Sequence, residues 1–183
     1  SYIEQPEPNG LAAAFILGES FLDGHPSALV LGDNIFYGDS LTSRLQAISA
    51  REEGATIFAY PVKHPQHYGV VSFDDSGKAL AIEEKPKNPA STYAVPGLYF
   101  YDASVVARAK KLTPSTRGEI EISELNQSYL DQGQLFVDRL HRGVAWFDGG
   151  TPSTLLKTSL FIEAIEERQG ILIGSPEEVA YRL

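Results

Sequence analysis

Apolar and polar positions follow two rhythms along this chain. Short apolar runs bounded by turn residues cover 28–32, 55–62, 93–101, 135–140 and 143–147, and they read as strands. Residues 68–74 and 78–84 alternate apolar and polar around Asp74-Asp75-Ser76-Gly77, a hairpin signal. The helical rhythm predicts a helix over 10–21, with Ala12 to Ala14 near its start. A second covers 41–53, with Leu41, Leu45 and Ile48 on one face, Asp39 or Ser40 to cap it and Gly54 to end it. Asp102 can cap a helix over 103–112, and another over 119–132 ends at Gly133. Thr151 caps a final long helix. Pro152 stands in its first turn, Leu155, Leu156, Phe161, Ile162 and Ile165 are its apolar positions, and Gly170 lies past its end. Residues 1–4 read as a short strand or its tail, and 6–9 as a turn. Strands alternate with helices at first. That order predicts a single α/β domain over 1–183 with a mostly parallel central sheet flanked by helices.

Composition narrows the function classes. The 183 residues suit one domain, and a 43% hydrophobic content allows a substantial core. A net charge of -9 argues against nonspecific nucleic-acid binding, because phosphate backbones require Lys/Arg patches. A phosphate-bearing ligand would then need a local positive site or a metal. The chain has no Cys, which removes disulfides, thiolate metal sites and Cys nucleophiles. No apolar run approaches the roughly 20 residues of a membrane span, and no signal-like segment is present. The expectation is a soluble, cytoplasmic protein without a membrane or nucleic-acid partner. The chain opens on Ser1 and contains no Met. It is therefore expected to be processed or to be a piece of something longer.

Several clusters carry candidate chemistry. In Ala81-Ile82-Glu83-Glu84-Lys85-Pro86, a strand runs to a carboxylate and an ammonium and stops at Pro86. An acceptor beside a fixed cation suits a sugar held by its hydroxyls and its phosphate together, although a solvated strand end has the same residues. Leu29-Val30-Leu31-Gly32-Asp33-Asn34 is an apolar strand ending in Gly-Asp. Ala145-Trp146-Phe147-Asp148-Gly149-Gly150-Thr151 repeats the plan before a helix. Ligands of open α/β sheets sit outside the carboxyl ends of strands. Asp33 and Asp148 could share one Mg²⁺ there, or each could be a turn or capping aspartate. Arg117, ahead of the helix over 119–132, suits phosphate, and a surface arginine is the alternative. Gln5, in the turn that feeds the first helix, has an amide able to read a pyrimidine edge, and a structural turn is the alternative. His25, His64, His67 and His141 show no metal-ligand spacing. No nucleophile elbow and no complete phosphate-binding Gly loop is present.

Taken together these segments resemble the sugar nucleotidyltransferases, most closely the glucose-1-phosphate thymidylyltransferases among them. The resemblance rests on Gln5-Pro6, Asn9-Gly10-Leu11-Ala12 and Leu29 through Gly38. It continues with Tyr68-Gly69-Val70-Val71, Glu83-Glu84-Lys85-Pro86, Tyr93-Ala94-Val95 and Gly97-Leu98-Tyr99-Phe100-Tyr101-Asp102. Arg117-Gly118-Glu119, Trp146, Asp148 and Ile165-Glu166-Glu167-Arg168-Gln169-Gly170 complete it.

The resemblance implies a Rossmann-like nucleotide-diphospho-sugar transferase fold. It implies nucleotidyl transfer from dTTP to glucose 1-phosphate, giving dTDP-glucose for deoxysugar and rhamnose synthesis, and a homo-oligomer, a tetramer in that family. Residue by residue, it implies that Gln5 and Gly10 contact the thymine and that Asp33 and Asp148 hold Mg²⁺. Tyr68, Gly69, Glu84 and Val95 would line the glucose pocket, with Leu31 and Trp146 as apolar walls, and Lys85 and Arg117 would hold the sugar phosphate. The sequence departs from that pattern at Pro96 and Gly149, where the family usually carries Thr. The family's first strand, its Gly-rich signature loop and its C-terminal helices have no counterpart in these residues. The expectation is that residues 1–183 alone lack thymidylyltransferase activity and fold poorly or associate. A noncatalytic sugar-nucleotide binding or assembly module derived from the family is the alternative.

Overall fold

The computed structural model describes residues 1–38 and 41–182. The expected helix caps Asp39 and Ser40 lie outside the described residues. The strands are β1 (Ser27–Val30), β2 (Asn34–Gly38), β3 (Ala55–Pro61), β4 (Gly69–Phe73), β5 (Ala79–Glu84), β6 (Tyr93–Ala94), β7 (Leu98–Tyr101), β8 (Leu135–Arg139) and β9 (Val144–Asp148). The helices are α1 (Ala13–Leu17), α2 (Glu19–Leu22), α3 (Leu41–Ser49), α4 (Val105–Ala109), α5 (Ile122–Asp131), α6 (Pro152–Gln169) and α7 (Pro176–Arg182).

Among the described residues the main sheet runs β1-β7-β3-β6-β4-β5, with β8 on the other edge of β3. The helix-flanked α/β architecture is found, but the expected parallel sheet is not. Only β3 and β8 run parallel, and the β1/β7, β3/β7, β3/β6, β4/β6 and β4/β5 pairs are all antiparallel. Part of the reason is local. The tight turn at 74–77 can only return the chain antiparallel. Its geometry is set by Asp74 Oδ1, which accepts from Ser76 Oγ at 2.6 Å and from Lys78 N at 2.9 Å.

The alternation within β3 builds both faces of the core. Ala55, Ile57 and Ala59 join Phe15, Tyr99, Tyr101, Val105, Leu125 and Tyr129 beneath α1, α4 and α5. Phe58 turns the other way and packs with Ile48 of α3, Leu98, Leu140 and Val144. Each fully buried Ile or Phe contributes about 1.5–3 kcal/mol of transfer free energy.

Other expectations shift in detail. Residues 1–4 form no strand. The helix expected over 10–21 is two short turns meeting at Gly18, and the helix expected from 119 begins at Ile122. The strand expected over 93–101 is broken at Pro96 and Gly97 into β6 and β7. One α-helix and one strand are additional. One is α7, and the other is β2, which forms a separate two-stranded ladder with β9 in the register Asn34↔Asp148. The α6 cap is as expected. Thr151 Oγ1 accepts from Thr154 N at 3.2 Å, Thr154 Oγ1 accepts from Thr151 N at 3.1 Å, and Gly170 ends the helix at φ +67°. Of its apolar positions, Phe161 packs on Tyr37 and Phe147, whereas Leu155 and Leu156 are exposed.

Candidate active site

A cavity of about 190 Å³ opens where the β1–β2 turn, the ends of β4 and β5, the β6–β7 break, the first turn of α5 and the end of β9 converge. It gathers Leu31, Asp33, Tyr68, Gly69, Glu84, Lys85, Val95, Trp146 and Asp148 of the sequence candidates. Gln5, Gly10 and Arg117 are not in its lining.

The β2–β9 ladder sets Asp33 beside Asp148. Asp33 lies one residue before the paired Asn34, Asp148 is Asn34's cross-strand partner, and Gly149 N donates to the Asp33 carbonyl at 2.7 Å. A Cβ on Gly150 would stand 3.0 Å from Asp148 Oδ1 and 3.2 Å from Asp33 Oδ2. Both carboxylates therefore face the space that this glycine leaves open. Both oxygens lie near that one point, so a small turn of either side chain would bring them to the roughly 2.1 Å ligand distance of one small divalent cation. Two carboxylates leave most of an octahedral coordination sphere free. That suits a cation such as Mg²⁺, which keeps water and phosphate oxygens as its other ligands. No group of three or more His, Cys, Asp and Glu forms a fuller metal cage among the described residues.

Asn34 ties this corner to the rest of the cavity. Its Nδ2 donates to Asp33 Oδ1 at 2.8 Å. Its Oδ1 accepts from Gly97 N at 2.9 Å and from Trp146 Nε1 at 2.7 Å. Gly97 has no room for a side chain here, since a Cβ would lie 2.6 Å from Leu31 Cγ and Cδ1. Trp146 then meets Tyr68 edge-on at 5.2 Å and Tyr60 at 5.7 Å, forming an aromatic wall. Partial burial, and after it the Asp148 carboxylate, push the Tyr68 phenol up from its ordinary value.

The opposite wall is the end of β5. Glu84 Oε2 accepts from Ser123 Oγ in the first turn of α5. Glu84 Oε1 lies 3.9 Å from Lys85 Nζ and 4.0 Å from Arg117 Nη1. Gly69, paired with Glu84 across the β4–β5 ladder, fits closely, because a Cβ there would stand 3.0 Å from Ser123 Oγ. Lys85 has φ +43° although it precedes Pro86, a position that normally favours extended backbone. Its N–H donates to the Tyr68 carbonyl at 3.0 Å, which holds it in that conformation. Beneath, Tyr99 forms part of the floor. Burial pushes its phenol well up, and Glu84 adds to the rise.

The residues outside the lining have identifiable partners. Arg117 lies beyond Glu84, donating to Glu119 Oε1 at 3.0 Å and to Glu121 Oε1 at 3.3 Å. Gln5 Nε2 donates within its own turn, to Asn9 Oδ1 at 2.7 Å and to the Gly10 carbonyl at 3.2 Å. Gly10, at φ +105°, lies against the Ile120 backbone, which a Cβ would approach to 2.4 Å. Its neighbour Leu11 lines the cavity instead. The sequence reading also passes over Asn34, His67, Gly97 and Ser123 as site residues. For Asn34 and Gly97 a local signal exists, an amide next to a candidate metal carboxylate and a glycine opening an aromatic strand. For Ser123 and His67 none does.

The model of the nucleotidyl transferase family matches residues 1–165 of the chain. A glucose-1-phosphate thymidylyltransferase from Xanthomonas campestris pv. campestris (strain B100) is 52% identical over 180 residues, 98% of this chain and 61% of that protein. The same-named protein of Mycolicibacterium smegmatis is 53% identical over 182 residues, 100% of this chain and 63% of its own length. The chain thus spans less than two thirds of the relatives it matches. Among solved structures, a Bacillus anthracis protein assigned as a glucose-1-phosphate thymidylyltransferase, crystallised with sucrose, superposes with a TM-score of 0.78 at 36% identity, covering 88% of this chain and 64% of that one. A UDP-glucose pyrophosphorylase bound to UDP-glucose shares the fold at a TM-score of 0.75 and 20% identity, over 92% of this chain and 66% of its own.

Proposed function

The chain belongs to the nucleotidyl transferase family, and from that premise we propose that its protein transfers a thymidylyl group from dTTP to glucose 1-phosphate. The observation that carries the proposal is the pairing across one cavity. Asp33 and Asp148 face a common space at Gly150, and Glu84 and Lys85 stand opposite them.

In this reading a phosphate oxygen of the sugar phosphate attacks the α-phosphorus of the nucleotide in line. The bond to the pyrophosphate oxygen breaks, and pyrophosphate leaves. No covalent protein intermediate is needed, so positioning and charge placement supply the rate. Glu84 has one oxygen held by Ser123 and offers the other to sugar hydroxyls. Lys85, half exposed, swings from Glu84 to the phosphate. The edge-on pair Tyr68 and Trp146 keeps water from one side of the sugar. Arg117 would have to leave Glu119 and Glu121 to reach a phosphate, which makes Lys85 the cation that the cavity offers directly. Asp33 and Asp148 would hold Mg²⁺, whose charge would offset the phosphate oxygens in an otherwise acidic site. Among the described residues no helix is long and apolar enough to cross a membrane.

The test is pyrophosphate release by the full-length protein with dTTP, glucose 1-phosphate and Mg²⁺, compared with UTP, CTP and ATP. Release that requires both the sugar phosphate and the thymidine nucleotide is expected. Release indifferent to the sugar phosphate would overturn the proposal. Ligand binding with no turnover would favour a noncatalytic sugar-nucleotide module.

A further inference from the structure

The cavity sets three carboxylates, Asp33, Glu84 and Asp148, against one fixed cation, Lys85. Arg117 is engaged elsewhere. A phosphate monoester entering beside Lys85 meets few donors. One more lining residue can provide both a donor and a positive charge, and that is His67.

His67 ends the 3₁₀ turn Pro65–His67, which the buried Pro65 anchors. The next residue, Tyr68, accepts the Lys85 N–H at 3.0 Å. The imidazole and the ammonium therefore leave neighbouring points of one rim. The His67 ring is exposed and stands edge-on to Tyr68 at 6.5 Å. Among the described residues no hydrogen bond or ion pair engages its nitrogens, so the ring is free to turn toward a ligand.

We propose that His67 is a substrate-binding residue that donates to the phosphate of the sugar phosphate beside Lys85. The inference rests on reading this cavity as a sugar-phosphate site. Other titratable and charged groups surround the ring. They are His64 just ahead of the same turn at 6.4 Å, Tyr68 beside it, Glu84 at the end of β5 with Lys85 after it, and Asp33, Tyr99 and Asp148 across the cavity. An imidazole N–H donates in either protonation state, and the phosphate it would face is anionic, so the bond is charge-assisted. The ligand phosphate itself titrates near pH 6, which makes comparison with a His67 variant necessary at each pH.

The experiment is calorimetric binding of glucose 1-phosphate to the full-length protein, with Mg²⁺ and a non-hydrolysable dTTP analogue present, at pH 6 and pH 8. In His67→Ala the dissociation constant should rise about tenfold at both pH values, the effect of one charge-assisted hydrogen bond. His67→Arg should hold wild-type affinity at both pH values. The KM for dTTP should stay within about twofold in both variants, because uniform loss of structure would move both substrates. Equal affinity of wild type and His67→Ala at pH 6 would overturn the inference and leave the proposed function standing, as would failure of His67→Arg to restore binding. Absence of glucose 1-phosphate binding by the wild-type protein would overturn both.

Discussion

Replacing Asn34 with Ala tests the internal wiring of the site most directly. The substitution removes one acceptor that serves two donors, Gly97 N at 2.9 Å and Trp146 Nε1 at 2.7 Å, and one donor that holds Asp33 Oδ1 at 2.8 Å. Gly97 and Trp146 are both buried, so two N–H groups lose their partner inside the protein. An unsatisfied buried donor costs about 1–3 kcal/mol. Water entering from the adjacent cavity can recover part of that, which leaves a loss of about 2–4 kcal/mol. For a domain of this size each kcal/mol lowers Tm by about 2–4 °C. A fall of roughly 5–15 °C is therefore expected. Trp146 is the sole tryptophan of the sequence, so its emission reports the loss of the indole bond separately from global unfolding by circular dichroism. Asn34→Asp is the discriminating partner. It keeps the acceptor, and with it the Trp146 emission, but sets a second carboxylate against Asp33. Like charges raise the folded-state pKa of such a pair above its unfolded value. The variant should therefore approach wild-type stability below about pH 4 and lose ground as pH rises through the folded-state values. Equal destabilisation of both variants at all pH, with unchanged Trp146 emission in Asn34→Ala, would refute the reasoning.

Gly150→Ala should place a methyl group about 3 Å from both Asp148 Oδ1 and Asp33 Oδ2. The Mg²⁺ concentration for half-maximal turnover should rise about tenfold or more, with Tm little changed, since neither oxygen belongs to the core. Lys85→Ala should raise the KM for glucose 1-phosphate by roughly tenfold to a hundredfold through the loss of a charged hydrogen bond, while the KM for dTTP stays constant in steady-state assays. Asp102 is pushed up by burial, but hydrogen bonds from Ser104, Gly54 N and Tyr129 outweigh this and hold its carboxyl below the usual range. A depressed carboxylate stabilises the fold above its unfolded pKa, and that stability is lost as pH falls through the folded value. Asp102→Asn should therefore flatten the acid limb of a stability–pH curve below about pH 4.

The parts of this architecture legible in the sequence depend on short-range chemistry. The 74–77 hairpin, the Thr151 cap and the Gly170 terminus each follow from a few adjacent residues, and each is where the pattern puts it. The two aspartates are legible as strand-end carboxylates, and the structure brings them together. The sheet's direction is not legible. Strand–helix alternation suggests parallel crossovers, whereas β7 returns antiparallel between β1 and β3. Asn34 has a local signal in its neighbour Asp33, but its bridging role is hidden, because its other two partners lie 63 and 112 residues away in sequence. Arg117 is readable as a phosphate ligand by residue type, by its place ahead of a helix and by the resemblance, but its carboxylate partners are not. That Glu119 and Glu121 capture it depends on how the loop ahead of α5 turns.

The β2–β9 ladder has a consequence for how the chain reaches its working form. The wall that carries Glu84 is built from near neighbours, since β4 and β5 meet through a tight turn and β6 follows soon after. The carboxylate corner instead closes a loop of more than half the chain, as the Trp146–Asn34 bond spans 112 residues. Long-range closure costs more chain entropy and forms later than local hairpins. During synthesis the segment that carries Glu84 and Lys85 leaves the ribosome before Asp148 does. The two aspartates meet only where β9 has paired with β2. Ligand binding at this corner therefore doubles as a readout that the paired strands farthest apart in sequence have found each other.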